Sequence, residues 1–384
     1  MINSDLYISL MKLNEICEVY SGYAIKEFNN IKKGLPVIKI GNILTDGTLN
    51  LGECQFSTED INEKYHSKKG DIYVALSGAT TGKLGIMEDE KKYIINQRVG
   101  IIRLKQKSVS QSYIKFFLLK QTERIIDEAT GCAQPNISPK QIGEYDVPVF
   151  PEKEMLQISD ILNNIVCVIK HYKAMIKKYD DLIKARFIEM FGRPFINNLK
   201  WESKQIKNVV NEVKYGTSKP SVESGEYKYL RMNNLTYDGR FDLTDLKFIS
   251  LDNDELEKCV VRKGDVLFNR TNSLDLIGKT ADFDFDEDMV IAGYIIRIRL
   301  KETIVPKFFS MYMNTDEVKL HLRTIAKGAV NQANINAQEL QGIPIYIPPI
   351  ELQNQFADFV QQVDKSRFNI KKSIIELERE VVYD

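Results

Sequence analysis

This chain of 384 residues repeats itself once. Pro36-Val37-Ile38-Lys39-Ile40-Gly41-Asn42-Ile43, followed by Asp46-Gly47, returns as Tyr229-Leu230-Arg231-Met232-Asn233-Asn234-Leu235, followed by Asp238-Gly239. Lys39 thus answers to Arg231 and Asn42 to Asn234, at an offset of 192. Lys69-Gly70-Asp71-Ile72 matches Lys263-Gly264-Asp265-Val266 at 194. Gly82-Lys83 matches Gly278-Lys279, and Ile102-Arg103-Leu104 matches Ile298-Arg299-Leu300, both at 196. Gln134 and Asn136 match Gln332 and Asn334 at 198. An offset rising in small steps is what one duplicated fold with short loop insertions leaves behind. A unit of about 195 residues is the size of a domain and far too long for a solenoid repeat.

Each repeat ends in a helical segment with a narrow apolar stripe. After Pro151 the series runs Met155, Ile158, Leu162, Ile165, Ile169, Tyr172, Ile176, Tyr179, Ile183 and Met190, in steps of three and four that only Arg186 breaks. The second series is in register with the first: Gln353, Phe356, Val360, Val363, Arg367, Ile370, Ile374, Leu377 and Val381. Two surface helices, each covering its own domain, would show a wider apolar face. The narrow seam favours pairing of the two as an antiparallel coiled coil. Prolines 148 and 151, and then 344, 348 and 349, precede the two starts, and Gly192-Arg193-Pro194 stops the first.

The body of each repeat is mixed. Pro36–Ile43, Asp71–Leu76, Gly100–Leu104, Val266–Asn269 and Tyr294–Leu300 read as strands, rich in Val, Ile and Tyr and bounded by Gly and Asn turns. Ser112–Thr122 and Pro306–Thr315 read as short helices. The fold class is therefore α+β: two duplicated α/β domains, residues 1–151 and 194–350, each followed by a long spacer helix, 152–193 and 351–384.

Several chemistries are missing. No run approaches the ~18 apolar residues of a membrane span. The start, Met1-Ile2-Asn3-Ser4-Asp5, lacks the basic region and apolar core of a secretory signal, so the expected location is cytoplasmic. The five cysteines are scattered and form no Cys-x-x-Cys pair, and no histidine is followed at the third or fourth position by another ligand type, which argues against a metal centre. Gly78-Ala79-Thr80-Thr81-Gly82-Lys83-Leu84 resembles a phosphate loop but is one residue short, and its second copy has Ser273 where the first glycine belongs. No nucleophile elbow or Asn-Pro-Pro-Tyr methylase motif is present, and Asp282–Asp288 reads as a solvated acidic turn. The expectation is a chain without catalytic activity, metal or bound cofactor.

What the repeats share is a set of planar amides, guanidiniums and hydroxyls in loops. In the first copy they are Lys39, Asn42, Ser77, Thr80, Thr81, Lys83, Gln97, Arg98, Gln134 and Asn136. In the second they are Arg231, Asn233, Asn234, Asn269, Arg270, Thr271, Asn272, Lys279, Lys327, Asn331, Gln332 and Asn334. Asn and Gln can pair bidentately with adenine, Arg and Lys with guanine, and hydroxyls with either base or phosphate. Asn42 and Asn234, beside Asp-Gly turns, are equally well read as turn builders. The Asn269–Asn272 run favours contact.

These residues resemble the specificity subunit of type I restriction–modification systems. The resemblance spans essentially the whole chain. It is carried by Leu13-Asn14-Glu15-Ile16 with Ser21-Gly22, Gly34–Ile43, Gln134-Pro135-Asn136-Ile137-Ser138, Met190–Pro194 leading to Trp201-Glu202, and Phe268–Ser273 with Gly278-Lys279. It implies two target-recognition domains, each reading one half of an asymmetric bipartite site in double-stranded DNA. It implies also that the helices dock two modification (methyltransferase) subunits, with restriction subunits as further partners. S-adenosylmethionine, ATP and magnesium would then belong to those other chains.

The helices suit such a ruler. At about 1.5 Å per residue, Met155–Met190 spans roughly 50 Å and Gln353–Val381 roughly 42 Å, against about 34–36 Å for one DNA turn. Charge adds a constraint, because 53 Lys and Arg balance 53 Asp and Glu. By segment the balance is 19 to 18 over residues 1–151, 8 to 6 over 152–193, 21 to 22 over 194–350 and 5 to 7 over 351–384. No segment is a basic clamp, so the free chain should grip DNA weakly and depend on partners for phosphate contacts. The other readings are a specificity-like subunit of a different DNA-methylation phage-defence system and an interaction scaffold with no DNA role.

Overall fold

The computed structural model describes residues 9–105, 109–129, 135–329 and 332–382. They fall into two compact units, Met1–Lys173 with Lys371–Asp384, and Ala174–Ile370. The first long helix is Glu152–Phe191 and the second Ile350–Val382. Each unit takes part of each long helix, whereas the sequence segments treat the helices as pieces of their own.

In the first unit a four-stranded sheet runs in the order Cys17–Ser21, Val99–Leu104, Ile72–Ala75, Leu84–Ile86. Its central strand Ile72–Ala75 is buried at every residue, as expected where both faces are covered. One face packs against helices Gln111–Lys120 and Thr122–Glu128 through Ile114, Leu118 and Ile125. The other face meets Ile43 and, from a smaller sheet, Ile38 and Ile95; in that sheet Leu35–Ile38 lies between Gln55–Ser57 and the parallel Ile94–Ile95. A ribbon of Ser9–Lys12 with Asp146–Val149 closes the unit.

The second unit repeats this plan. Its sheet runs Val210–Tyr215, Ile295–Leu300, Val266–Asn269, Thr280–Asp282, with helices Pro306–Met313 and Asp316–Ile325 on one face. A smaller sheet of Lys247–Ile249, Tyr227–Leu230, Met289–Ile291 and Val260–Val261 covers the other. The duplication extends to a buried ion pair. Arg103 grips Asp71 with two bonds, Nε to Oδ1 at 2.7 Å and Nη2 to Oδ2 at 2.6 Å. Arg299 Nε meets Asp265 Oδ1 at 3.0 Å. Both carboxylates also accept a backbone N–H three residues upstream, from Lys68 and Arg262. The Lys-Gly-Asp match is therefore a turn lock that ties a hairpin to the neighbouring strand.

Two expectations shift. Pro36–Ile43 is not one strand: Leu35–Ile38 gives way to a 3-10 turn at Ile40–Asn42. Each short helix is followed by a second one that the sequence reading left out.

The apolar seam faces inward as its spacing predicts. Of the expected seam residues, Ile169, Ile183, Val360, Val363 and Ile374 are buried, and Leu162, Ile165, Tyr172, Ile176, Tyr179, Ile370 and Leu377 are half-buried. Within the second unit Phe187 meets Phe356 at 5.5 Å between ring centroids, and Asp180 meets Arg367 at 2.9 Å. One helix number falls as the other rises, so the pairing there is antiparallel. In the first unit Lys173 Nζ bonds Glu378 Oε1 at 2.8 Å. The polar interruptions are matched rather than tolerated. Gln353, fully buried, accepts from Val305 N and donates to the Thr303 and Pro348 carbonyls. Past Arg186 the seam continues through Phe187, which stacks on Phe308 of the domain, and Phe191, which meets the same ring edge-on. At that end the helix is both a coiled-coil partner and a cover for the domain core.

Candidate nucleic-acid interface

Three loops meet at one place in each repeat, and the same backbone hydrogen bonds hold them. In the first, Ala75 N donates to Lys83 O, Leu76 N to Arg98 O, Ile137 N to Leu76 O and Gly82 N to Ala75 O. In the second, the bonds are Asn269 N to Lys279 O, Arg270 N to Tyr294 O, Ile335 N to Arg270 O and Gly278 N to Asn269 O. Ser77 bridges to Asn136 as Thr271 does to Asn334. Gly82 and Gly278 are left-handed, at φ +85° and +75°, and a Cβ on Gly278 would lie 2.4 Å from Leu322 Cδ1. Strands, not helices, follow both Gly-Lys pairs. No helix N-terminus is available to cradle a nucleotide phosphate there.

The frame is shared but the side chains on it differ. Leu76 stands where Arg270 stands, Ala75 where Asn269 stands, and the exposed Arg98 where the exposed Tyr294 stands. Gln97 is exposed beside Arg98. Arg270 lies 4.9 Å from the Tyr215 ring centroid and donates through Nη2 to Asn334 Oδ1 at 2.9 Å. Thr271 and Asn272 pair with Gln332–Asn334, which pairs in turn with Lys327–Ala329. Lys327 reaches Glu339 at 2.6 Å, and Gln332 is exposed.

Some expected readers are occupied by the frame itself. Asn42 accepts from Lys39 N at 2.8 Å and donates to Asn50 O at 3.0 Å. Asn269 is fully buried, accepting from Thr271 N and donating toward Met232 O. Arg231 donates to the Asp245 carboxylate at 2.8 Å, and Asn233 lies 3.4 Å from the same oxygen. Thr81 Oγ1 donates to Gly78 O. Lys39 lies 3.5 Å over the Phe28 ring and bonds Gln55, and burial holds its ammonium below the usual lysine range. Burial does the same to Lys279, whose Nζ sits 3.3 Å from Met232 O.

Four buried polar atoms at these positions have no hydrogen-bond partner: Ser77 Oγ, Thr80 Oγ1, Arg231 Nε and Arg270 Nε. Native interiors rarely leave such atoms unmatched, although seven more occur at other places among the described residues. Half-buried Lys83 and exposed Asn136 complete the first cluster. Gln134 and Asn331, and Cys132 with them, lie outside the described residues. Sequence reasoning missed Tyr215, Tyr294, Lys319 and Arg323; the repeat offset of 196 between Arg98 and Tyr294 was the available signal for one of them.

Among the described residues no three His, Cys, Asp or Glu gather as a metal site would need, and no helix is long and apolar enough to cross a membrane. His171 does have a neighbour one turn earlier, Cys167, with Sγ 3.7 Å from Nδ1. Two exposed ligand types alone are short of a site.

The family model for the type I restriction modification DNA specificity domain matches residues 8–178 and again 198–379. The chain belongs to this DNA specificity family. It is similar to the specificity subunit of the type I restriction enzyme EcoBI of Escherichia coli, 21% identical over 396 residues, covering 95% of this chain and 81% of that one. The EcoKI specificity subunit of Escherichia coli strain K12 is 20% identical over 362 residues, with coverage of 88% and 77%. Among solved structures, the S subunit of a type I restriction–modification system from M. genitalium superposes with TM-score 0.53 at 15% identity, covering 99% and 96%. A chain solved in work on complex assembly and conformational transition of the type I R-M system gives TM-score 0.61 at 16% identity, covering 99% and 97%. The fold is that of specificity subunits, two domains joined by long helices, and the function of this specificity subunit is DNA recognition.

Proposed function

We propose that each domain reads one half of an asymmetric bipartite DNA site, and that the paired helices set the gap between the halves and dock two modification subunits. The observation that carries this is the pairing of one backbone frame with two different side-chain sets. Identical frames place the loops against DNA in the same manner, and Arg98 against Tyr294, or Leu76 against Arg270, then select different bases.

The outer face of the first helix supports the docking role. Ile161, Val168, Met175 and Leu182 are exposed and spaced by sevens, and on the second helix so are Phe368 and Ile375. A second apolar seam of this kind suits a protein partner better than water. Methyl transfer with S-adenosylmethionine would take place on those partner subunits, and ATP- and magnesium-dependent steps on restriction subunits.

The test is a matched deletion. Removing one heptad from each helix shortens the pair by about 10 Å, about three base pairs at roughly 3.4 Å each. The methylated site should keep both half-sites and lose spacer. An unchanged spacer would refute the ruler.

A further inference from the structure

The paired short helices beside the reading loops differ at one buried position. Helices Thr122–Glu128 and Asp316–Ile325 run to matching caps at Ala129 and Ala326, so the fully buried Ile125 answers to Leu322 and the half-buried Thr122 to Lys319. The first repeat carries a threonine there, so the fold does not call for an ammonium.

Lys319 is only 3% exposed. Its Nζ donates to the Gly278 carbonyl at 2.6 Å and lies 4.7 Å from the Tyr237 ring centroid. Lys279 is the next residue of that loop. Arg323, one turn along the helix, donates to Tyr237 Oη at 3.1 Å and to Asp275 O at 3.3 Å. The three cations thus lean on carbonyls and a phenol, and among the described residues none of them has a carboxylate partner. Elsewhere in the same unit buried cations are paired, Arg297 with Glu212 at 2.6 Å and Arg367 with Asp180 at 2.9 Å. A buried, uncompensated ammonium is costly. Burial, with the charges of Lys279 and Arg323 added, pushes the Lys319 ammonium down to about 7.

We propose that Lys319, Lys279 and Arg323 form a pocket for one backbone phosphate of the DNA held by the second domain. A phosphodiester supplies the missing negative charge and accepts the donors that these groups have to spare. The first domain, with Thr122 at the matching place, has no such anchor, so the grip on the two half-sites is unequal. The inference rests on the DNA-reading function proposed above and adds to it a phosphate clamp confined to one half.

The experiment measures binding of the full chain, in complex with its modification subunits, to a duplex carrying the methylated site and to a random duplex, over a range of salt. Lys319→Ile removes the ammonium and leaves an apolar side chain at a buried position. Lys279→Gln and Arg323→Gln, at less buried positions, guard against misfolding. Each variant should weaken binding to both duplexes by a similar factor, and the slope of log Kobs against log salt should become shallower by about 1. An unchanged slope in all three variants overturns the pocket. So does a loss confined to the specific duplex, which would make these residues base readers. If the unsubstituted complex binds neither duplex, it is the DNA-reading proposal itself that fails, and the pocket with it.

Discussion

Asn234 stands in the second repeat where Asn42 stands in the first, and the two make the same pair of bonds. Asn234 accepts from Arg231 N at 2.9 Å and donates to Asp242 O at 2.9 Å, matching Asn42 with Lys39 N and Asn50 O. Both side chains are buried, at 1% and 8% exposure. Asn234→Ala would remove the side chain that ties the part-buried Arg231 N–H and Asp242 C=O together, at a cost of about 1 kcal/mol or more. Denaturant titration should show that loss, with the bases preferred by folded protein unchanged.

Arg367 occupies a seam position that an apolar residue would fill by default. It is held by Asp180, which also accepts from Arg240 Nη2 at 2.7 Å, so a residue of the second domain joins both helices in one charge network. Arg367→Ala removes one cation of this network and opens the seam. Since Asp180 retains Arg240 and is 32% exposed, the loss should stay below the roughly 3–5 kcal/mol seen when a fully buried pair is broken. Thermal unfolding of the pair Arg367→Ala and Arg367→Met separates the charge from the packing, with Met the milder change.

Base choice should divide by repeat. Arg98→Ala is expected to relax preference in the half-site read by the first domain and to leave the other half intact. Arg270→Ala is expected to do the reverse. Each should cost about 1–3 kcal/mol of discrimination at the affected position, measurable by competition with duplexes altered one base pair at a time.

Lys319 makes stability depend on pH in a predictable direction. Its ammonium is pushed down to about 7 in the folded chain and returns to the ordinary lysine range on unfolding. Between these values the unfolded chain binds a proton that the folded site has released, so stability rises with pH across that window. The groups facing it, Lys279, Arg323 and Tyr237, provide no compensating negative charge. Lys319→Ile removes the effect. Its stability advantage over the unsubstituted chain, measured by urea denaturation, should be largest at about pH 7 and below and should shrink by about pH 9.

Zero net charge carries its own prediction. With 53 cations against 53 anions, the chain by itself has little of the counterion-release affinity that non-specific DNA binding draws on. Gel shifts at physiological salt should show weak binding by the free chain and tight binding once modification subunits are added.

Much of this was legible in the residues, and the gaps have physical causes. The repeat, the seam and the two-domain plan follow from apolar spacing and ordered matches, which burial enforces throughout. The counterpart of Arg98 was hidden because Tyr294 shares a backbone place with it but no side-chain chemistry. Phe187 was hidden because Arg186 interrupts the three–four step one residue before the seam resumes. Lys319 reads as a solvated residue on an amphipathic helix, and only the packed structure shows it buried beneath Gly278. Asn42 and Asn234 could be turn builders or readers on sequence alone. Two hydrogen bonds to their own loops decide for the frame.

The central claim is that one chain reads two different half-sites held a fixed distance apart. Methylome sequencing of a host carrying this chain with its modification subunits tests it directly. The account predicts one methylated motif made of two unlike, defined arms around an unspecified gap of constant length. A single contiguous motif, or two identical arms, would contradict it.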